Sequence, residues 1–234
     1  MIDPGGSASA SPTARRILLL VGPVGAGKGT QAAAMSEALG LAHLASGNLF
    51  RRALRDGTEL GERARAYMER GDLVPDEITI AMFMDELARP PASRGAILDG
   101  FPRTVAQAQA LDATLAARGE RIERVISIDV PVEALVSRVA GRRVCPLCGT
   151  PYHVDSDPPR VPGRCDRDGT ELQQRDDDRP ETVRARLAKQ VPPMLEVLAY
   201  YDRDGKVRHV DGTLPIAEVT RQILETVADG DDAA

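Results

Sequence analysis

Short, unbroken apolar runs alternate along this chain with longer stretches in which apolar positions recur every three or four residues. The short runs predict strands over 17–21, 42–45, 96–99, 125–129 and 207–210, because segments of that length, bounded by turn residues, are consistent with strands buried in a sheet. The longer stretches predict helices over 28–39, 60–69, 76–88, 104–117, 132–140 and 215–228. Gly40 and Gly71 stand just past the first two, where glycine commonly ends a helix. Strand and helix in alternation is the pattern of a parallel sheet covered by crossover helices, so the expected fold class is α/β.

Two stretches break the alternation. Residues 46–72 read as helical sequence placed between strands, within an insert bounded at 45–74. Residues 141–178 are rich in Pro, Gly, Asp and Cys and carry little helical periodicity. Residues 1–16 are too polar to bury and are expected to be a disordered extension, with a core running from 17 to 234 and ending in a polar tail. No internal repeat is visible.

Composition narrows the classes. The chain of 234 residues has room for one core with small insertions. Apolar residues make up 42% but aromatics only 3%, with no Trp, so stacking platforms for nucleic acid are scarce. A formal charge of -5 lacks the basic balance of a general polyanion binder. The apolar run at 17–21 is far too short to span a membrane, and residues 1–16 lack the apolar stretch of a signal peptide. A cytoplasmic monomer with no nucleic-acid or membrane partner is the expectation. Among 30 basic residues only Lys28, Lys189 and Lys206 are lysine, so an arginine gains meaning only from its setting.

After the first predicted strand comes Gly22-Pro23-Val24-Gly25-Ala26-Gly27-Lys28-Gly29-Thr30. Strand, closely spaced glycines, lysine and helix together aim backbone N–H groups and a helix N-terminus at phosphate oxygens. The usual pattern puts Ser or Thr directly after the lysine, whereas here Gly29 intervenes before Thr30. That variant resembles the nucleoside monophosphate kinases. Val24 stands where that family usually has Pro.

A kinase must hold an acceptor beside its donor. Ala96-Ile97-Leu98-Asp99-Gly100-Phe101-Pro102-Arg103 is an apolar strand ending in a carboxylate beside a turn. There an Asp can hold magnesium through water, or simply cap the strand. Three cysteines, Cys145, Cys148 and Cys165, cannot all pair within one chain, and their clustering suggests metal more than disulfides. Cys145 and Cys148 form one two-residue knuckle; Cys165 and Asp168 have the same spacing, as in zinc ribbons. The alternative is reduced cysteines in an insert held by polar contacts.

With Asp-Gly-Phe-Pro-Arg and with Gln107 four residues beyond Arg103, the chain resembles the adenylate kinases from about Ile17 to about Glu225. The resemblance implies a P-loop three-layer fold with a five-stranded parallel sheet, a helical AMP-binding insert and a small zinc-stabilised lid. It implies reversible magnesium-dependent phosphoryl transfer from ATP to AMP, giving two ADP. A related kinase with CMP or UMP as acceptor, or GTP as donor, is the alternative. A nucleic-acid binder built on the zinc knuckles is a rival of another class, which the composition disfavours.

Carried over by matching position, Gly25, Ala26, Gly27, Lys28, Gly29 and Thr30 would hold ATP. Arg142, Pro151, Tyr152 and the backbone at Leu214 would join them. AMP would meet Ser46, Arg51, Asp72, Leu73, Val74, Gly100, Phe101, Pro102, Arg103, Gln107, Arg175 and Arg186. Lys28, Arg103, Arg138, Arg142, Arg175 and Arg186 would gather the charge of the reaction. Asp99 would hold Mg2+ through water, and Cys145, Cys148, Cys165 and Asp168 would hold a structural Zn2+. Two departures stand out. Ser46 replaces a common Thr and keeps the hydroxyl, whereas Asn48 replaces an Asp and removes a charge, which weakens magnesium positioning or shifts that duty to Asp99. His43, His153 and His209 fall outside the signature motifs and are expected to pack or face solvent.

Overall fold

A computed structural model describes residues 15–69, 74–174 and 178–228. Five parallel strands form the central sheet: β1 (Arg16–Val21), β2 (Ala42–Ala45), β3 (Gly95–Asp99), β4 (Ile122–Asp129) and β7 (Val207–Asp211), in the order β2-β3-β1-β4-β7. Helices α1 (Lys28–Leu39), α2 (Ser46–Arg55), α3 (Glu59–Glu69), α4 (Asp76–Leu87), α5 (Val105–Ala116), α6 (Val132–Ala140), α7 (Pro180–Asp202) and α8 (Ile216–Ala228) connect or cover them. The extension expected over 1–16 lies outside the described residues except for Arg15 and Arg16, and Arg16 already opens β1.

β1 is central and buried on both faces, and side chains alternate across a strand, so its apolar run divides into two sets. Ile17, Leu19 and Val21 pack with residues of α4 and α5, among them Phe83, Leu87 and Leu111. Leu18 and Leu20 pack with residues of α1, α6 and α8, among them Met35, Leu135 and Ile223. Two apolar cores on one sheet make a three-layer molecule. Strands β1 and β3 run in register, Leu20 beside Asp99, so both deliver their C-terminal ends to the same edge. In open α/β sheets that edge is where ligands bind.

The predicted insert over 46–72 divides into α2 and α3. The break falls at Asp56–Thr58, where the Thr58 hydroxyl accepts from the Gly61 N–H at 3.1 Å and starts the second helix. Gly71, expected to close that helix, lies outside the described residues.

The pattern of the sequence does not predict α7, a 23-residue helix. Pro192 and Pro193 lie inside it, and internal prolines ordinarily signal a break because they remove N–H donors. Its buried residues also change neighbours along its length. Val183 and Leu187 join one core, while Val197, Leu198 and Tyr201 join the other, so no single apolar stripe runs through it. Tyr200 and Tyr201 anchor its end by donating to Asp112 of α5 at 3.0 and 3.2 Å. The polar insert also contains a small antiparallel pair, β5 (Arg142–Val144) with β6 (Pro151–His153).

Candidate active site

Residues 22–27 leave β1 and turn into α1. Gly25 has φ +85°, and a Cβ there would stand 2.6 Å from Val139 Cγ2 and 3.1 Å from the Leu135 carbonyl of α6. Conformation and packing both require glycine. Gly27 caps α1 at φ 94° with no side-chain acceptor, so the first N–H groups of the helix remain available to an anion.

Lys28 curls over the loop, its Nζ donating to the carbonyls of Gly22 at 2.7 Å and Pro23 at 2.9 Å. Burial lowers its pKa to about 8; Asp99 opposes that shift, and the charges of Arg103, Arg142 and Arg186 add to it. So many cations around a partly buried lysine make a site that gains from a multiply charged anion.

A cavity of about 460 Å³ opens in front of the loop. Gly25, Gly27, Lys28, Gly29 and Thr30 form one wall, and His43 of β2, Asp99 at the end of β3, and Asn48 and Arg51 of α2 form another. Arg138 and Arg142 follow, then Pro151, Tyr152 and His153 of the small hairpin. Arg138 is held by donating to the Gly212 carbonyl at 2.8 Å. Arg142 is held by a two-pronged pair with Asp178, through Nε to Oδ2 at 2.9 Å and through Nη2 to Oδ1.

Asp178 is fully buried, and an arginine fork matched to a carboxylate fixes position as well as charge. Asp178→Asn is expected to keep the fold but lower kcat about tenfold or more, measured in a coupled assay beside a thermal melt. Breaking a buried pair leaves a charge without its partner and releases Arg142 from its geometry.

A second network begins where β3 ends. The Arg103 Nε donates to the Gly100 carbonyl at 2.8 Å, and its Nη2 reaches the Ser46 hydroxyl at 3.4 Å, which itself donates to Gly100 at 3.2 Å. The Arg103 backbone N–H donates to Gln107 Oε1 at 2.7 Å, and Gln107 Nε2 donates to Asp76 at 2.7 Å. Thr104 caps α5 by accepting from the Gln107 N–H at 3.2 Å. Phe101 is buried and stacked on Phe83, with ring centroids 4.8 Å apart, and Val74 is buried nearby.

In the polar insert, Cys145, Cys148, Cys165 and Asp168 bring their ligand atoms within 4.8 Å of one another. Each knuckle closes with a matching turn, Gly149 N–H to the Cys145 carbonyl at 3.0 Å and Gly169 N–H to the Cys165 carbonyl at 2.8 Å. The Cys148 and Cys165 sulfurs lie 3.5 Å apart, and Cys145 Sγ lies 3.4 Å from Asp168 Oδ2. A tetrahedron with zinc–sulfur bonds of about 2.3 Å has edges of roughly 3.8 Å, so the donor set fits zinc in chemistry and in size. Hydrogen bonds from Thr170 hold the Asp168 carboxyl below the usual carboxylate range, which keeps it ionised.

The sequence model of the family described as adenylate kinase matches residues 20–206. The chain belongs to the adenylate kinase family. An adenylate kinase of Staphylococcus aureus (strain Mu50) is 43% identical over 208 residues, which cover 89% of this chain and 97% of that protein. An adenylate kinase of Staphylococcus epidermidis (strain ATCC 12228) gives the same identity and coverage. The function is accordingly that of an adenylate kinase, a phosphotransferase. No helix among the described residues is long and apolar enough to cross a membrane.

Within this kinase the expected site residues fall into groups. Gly25, Gly27, Lys28, Gly29, Thr30, Arg51, Asp99, Arg138, Arg142, Pro151 and Tyr152 line the cavity. Ser46, Gly100, Arg103 and Gln107 form the second network beside it. Ala26 is buried beneath the loop and Leu214 packs partly buried on the core, so neither offers its side chain to the cavity. Arg186 is near enough to Lys28 to lower it electrostatically. Asp72, Leu73 and Arg175 lie outside the described residues. Pattern reading passed over Asp76, which orients Gln107, and Asp178, which orients Arg142. It also set aside His43, which stands on the cavity wall 3.2 Å from Asp99. Asp178 stands three residues after Arg175, as the last member of an Arg-x-Asp-Asp run, and had a signal there; Asp76 and His43 are recognisable only from their partners.

Proposed function

We propose that the cavity and the adjoining network are the donor and acceptor sites for transfer of the γ-phosphoryl group of ATP to AMP. The observation that carries this reading is the meeting, at one sheet edge, of the Lys28 loop with the Asp99-to-Arg103 turn, so that two phosphate-binding elements face one another. Residues 25–30 would hold the ATP phosphates, with Arg142, Pro151 and Tyr152 closing over them and Arg138 at the transferring group. Ser46, Arg51, Val74, residues 100–103, Arg186 and the undescribed Asp72, Leu73 and Arg175 would hold AMP. Gln107 keeps one N–H and one Oε1 lone pair beyond its protein partners, a donor and an acceptor for the adenine edge.

The acceptor oxygen is already anionic, so no general base is needed. Catalysis would rest on in-line positioning and on cations gathered about the developing charge. The Asp99 carboxylate, a hard oxygen donor lining the same cavity as Thr30, fits magnesium held through water. Magnesium, when bound with ATP, supplies neutralisation of the β- and γ-phosphates. The inserts 45–74 and 141–178 would close over AMP and ATP to exclude water, which would otherwise accept the phosphoryl group.

A coupled assay offering ATP with AMP, CMP, UMP and GMP in turn tests the reading. AMP is expected to be the preferred acceptor by a wide margin. Arg103→Ala is expected to cut turnover with AMP at least a hundredfold without loss of fold. Equal rates with CMP or UMP would overturn the acceptor assignment.

A further inference from the structure

The His43 ring is joined to a carboxylate that the reaction is assigned to use. Nε2 of His43, on β2, lies 3.2 Å from Oδ2 of Asp99, at the end of β3. β2 and β3 pair with His43 beside Ile97 and Ala45 beside Asp99, so His43 reaches diagonally across the pair to the last residue of its neighbour. The two side chains are 21% and 12% exposed, enough to border the cavity while remaining packed.

Asn48 stands on the same wall with no charge, and its Oδ1 accepts from Arg51 Nη2 at 2.6 Å. Among the described residues the cavity has two carboxylates along its lining, Asp99 at the strand ends and Asp157 beyond the small hairpin. At the strand ends, the duty of ordering a divalent cation's water shell therefore falls on Asp99. A carboxylate that acts through water needs a fixed orientation, since each of its oxygens must meet a particular water. An outer partner on one oxygen supplies that constraint and leaves the other to the cavity.

Resting on the reading of Asp99 as the magnesium-ordering carboxylate, we infer that His43 is a positioning residue. By donating to Oδ2 it holds the Asp99 carboxylate in the orientation that magnesium's waters require, where Asn48 offers no acidic group to share the task.

The test compares His43→Leu, which removes the donor and keeps apolar volume, with His43→Gln, whose amide N–H has a similar reach. His43→Asn, too short to reach Asp99, serves as a second variant without the contact. Mg2+ is titrated at saturating ATP and AMP, and Mn2+ binding to each enzyme with a non-hydrolysable ATP analogue is followed by electron paramagnetic resonance. His43→Leu and His43→Asn are expected to raise half-saturating Mg2+ and to weaken Mn2+ binding about tenfold. KM for AMP should stay unchanged, and His43→Gln should remain within about twofold of the parent.

Unchanged metal affinity in a folded His43→Leu or His43→Asn protein overturns the inference, as does equal impairment of His43→Gln. Unfolding of all three variants also overturns it, because the role would then be structural. Asp99→Asn separates the two layers. If its Mg2+ dependence matches the parent's, the magnesium assignment itself fails; if Asp99→Asn is impaired but His43→Leu is not, only the positioning role fails.

Discussion

Lys28→Met should lower kcat by roughly two to three orders of magnitude while the melting temperature moves by only a few degrees. The Lys28 ammonium is satisfied by two carbonyls of its own loop, so its removal takes no partner from the core. What is lost, on the proposed reading, is a partly buried positive charge directed at developing negative charge, and a single such group, preorganised in a water-poor site, carries about 10²–10³ in rate. Near-normal turnover in the coupled assay would contradict the assignment.

The depressed pKa adds a second observable. With the free-enzyme value near 8, set first by burial, Lys28 is charged below that pH and increasingly neutral above it. On the proposed reading ATP binding favours the charged form, so affinity should fall as pH rises through 8, with proton uptake on binding there. Calorimetry in buffers of different ionisation enthalpy measures that uptake, and Lys28→Met should abolish it.

The purified protein should carry about one zinc per chain, and Cys165→Ser or prolonged chelation should lower its melting temperature by roughly 5–10 °C. The insert has almost no apolar core of its own. Cys145, Tyr152 and Cys165 form its buried cluster, with Leu172 packed against them, and two of these residues are themselves candidate ligands. Without metal, little burial remains to offset the ordering entropy of so polar a segment. Elemental analysis finding no zinc after growth in metal-replete medium would sink the assignment, as would an unchanged melt after Cys165→Ser.

Local physics made much of this molecule readable in one dimension. A buried central strand must be apolar at every position, so the run from Ile17 to Val21 announced β1, and Gly25 and Gly27 announced the loop because both take a left-handed φ that favours glycine and a side chain at Gly25 would also strike α6. Cys145 and Cys148 declared a knuckle by spacing. Readability failed where a helix packs on two cores in succession: α7 carries internal prolines and no continuous stripe, and only the surrounding layers explain why it forms.

By itself, the order of residues determined the α/β class, the glycine-rich loop before α1, the Asp99-to-Arg103 turn and the Cys and Asp make-up of the candidate metal site, because each depends on a conformational or coordination demand met within a few neighbouring residues. Tertiary structure decided which charged groups hold one another. The pairing of Arg142 with Asp178, the tethering of Gln107 by Asp76 and the approach of His43 to Asp99 are meetings between separate elements. Such contacts follow from strand register and layer packing, and no local pattern encodes them.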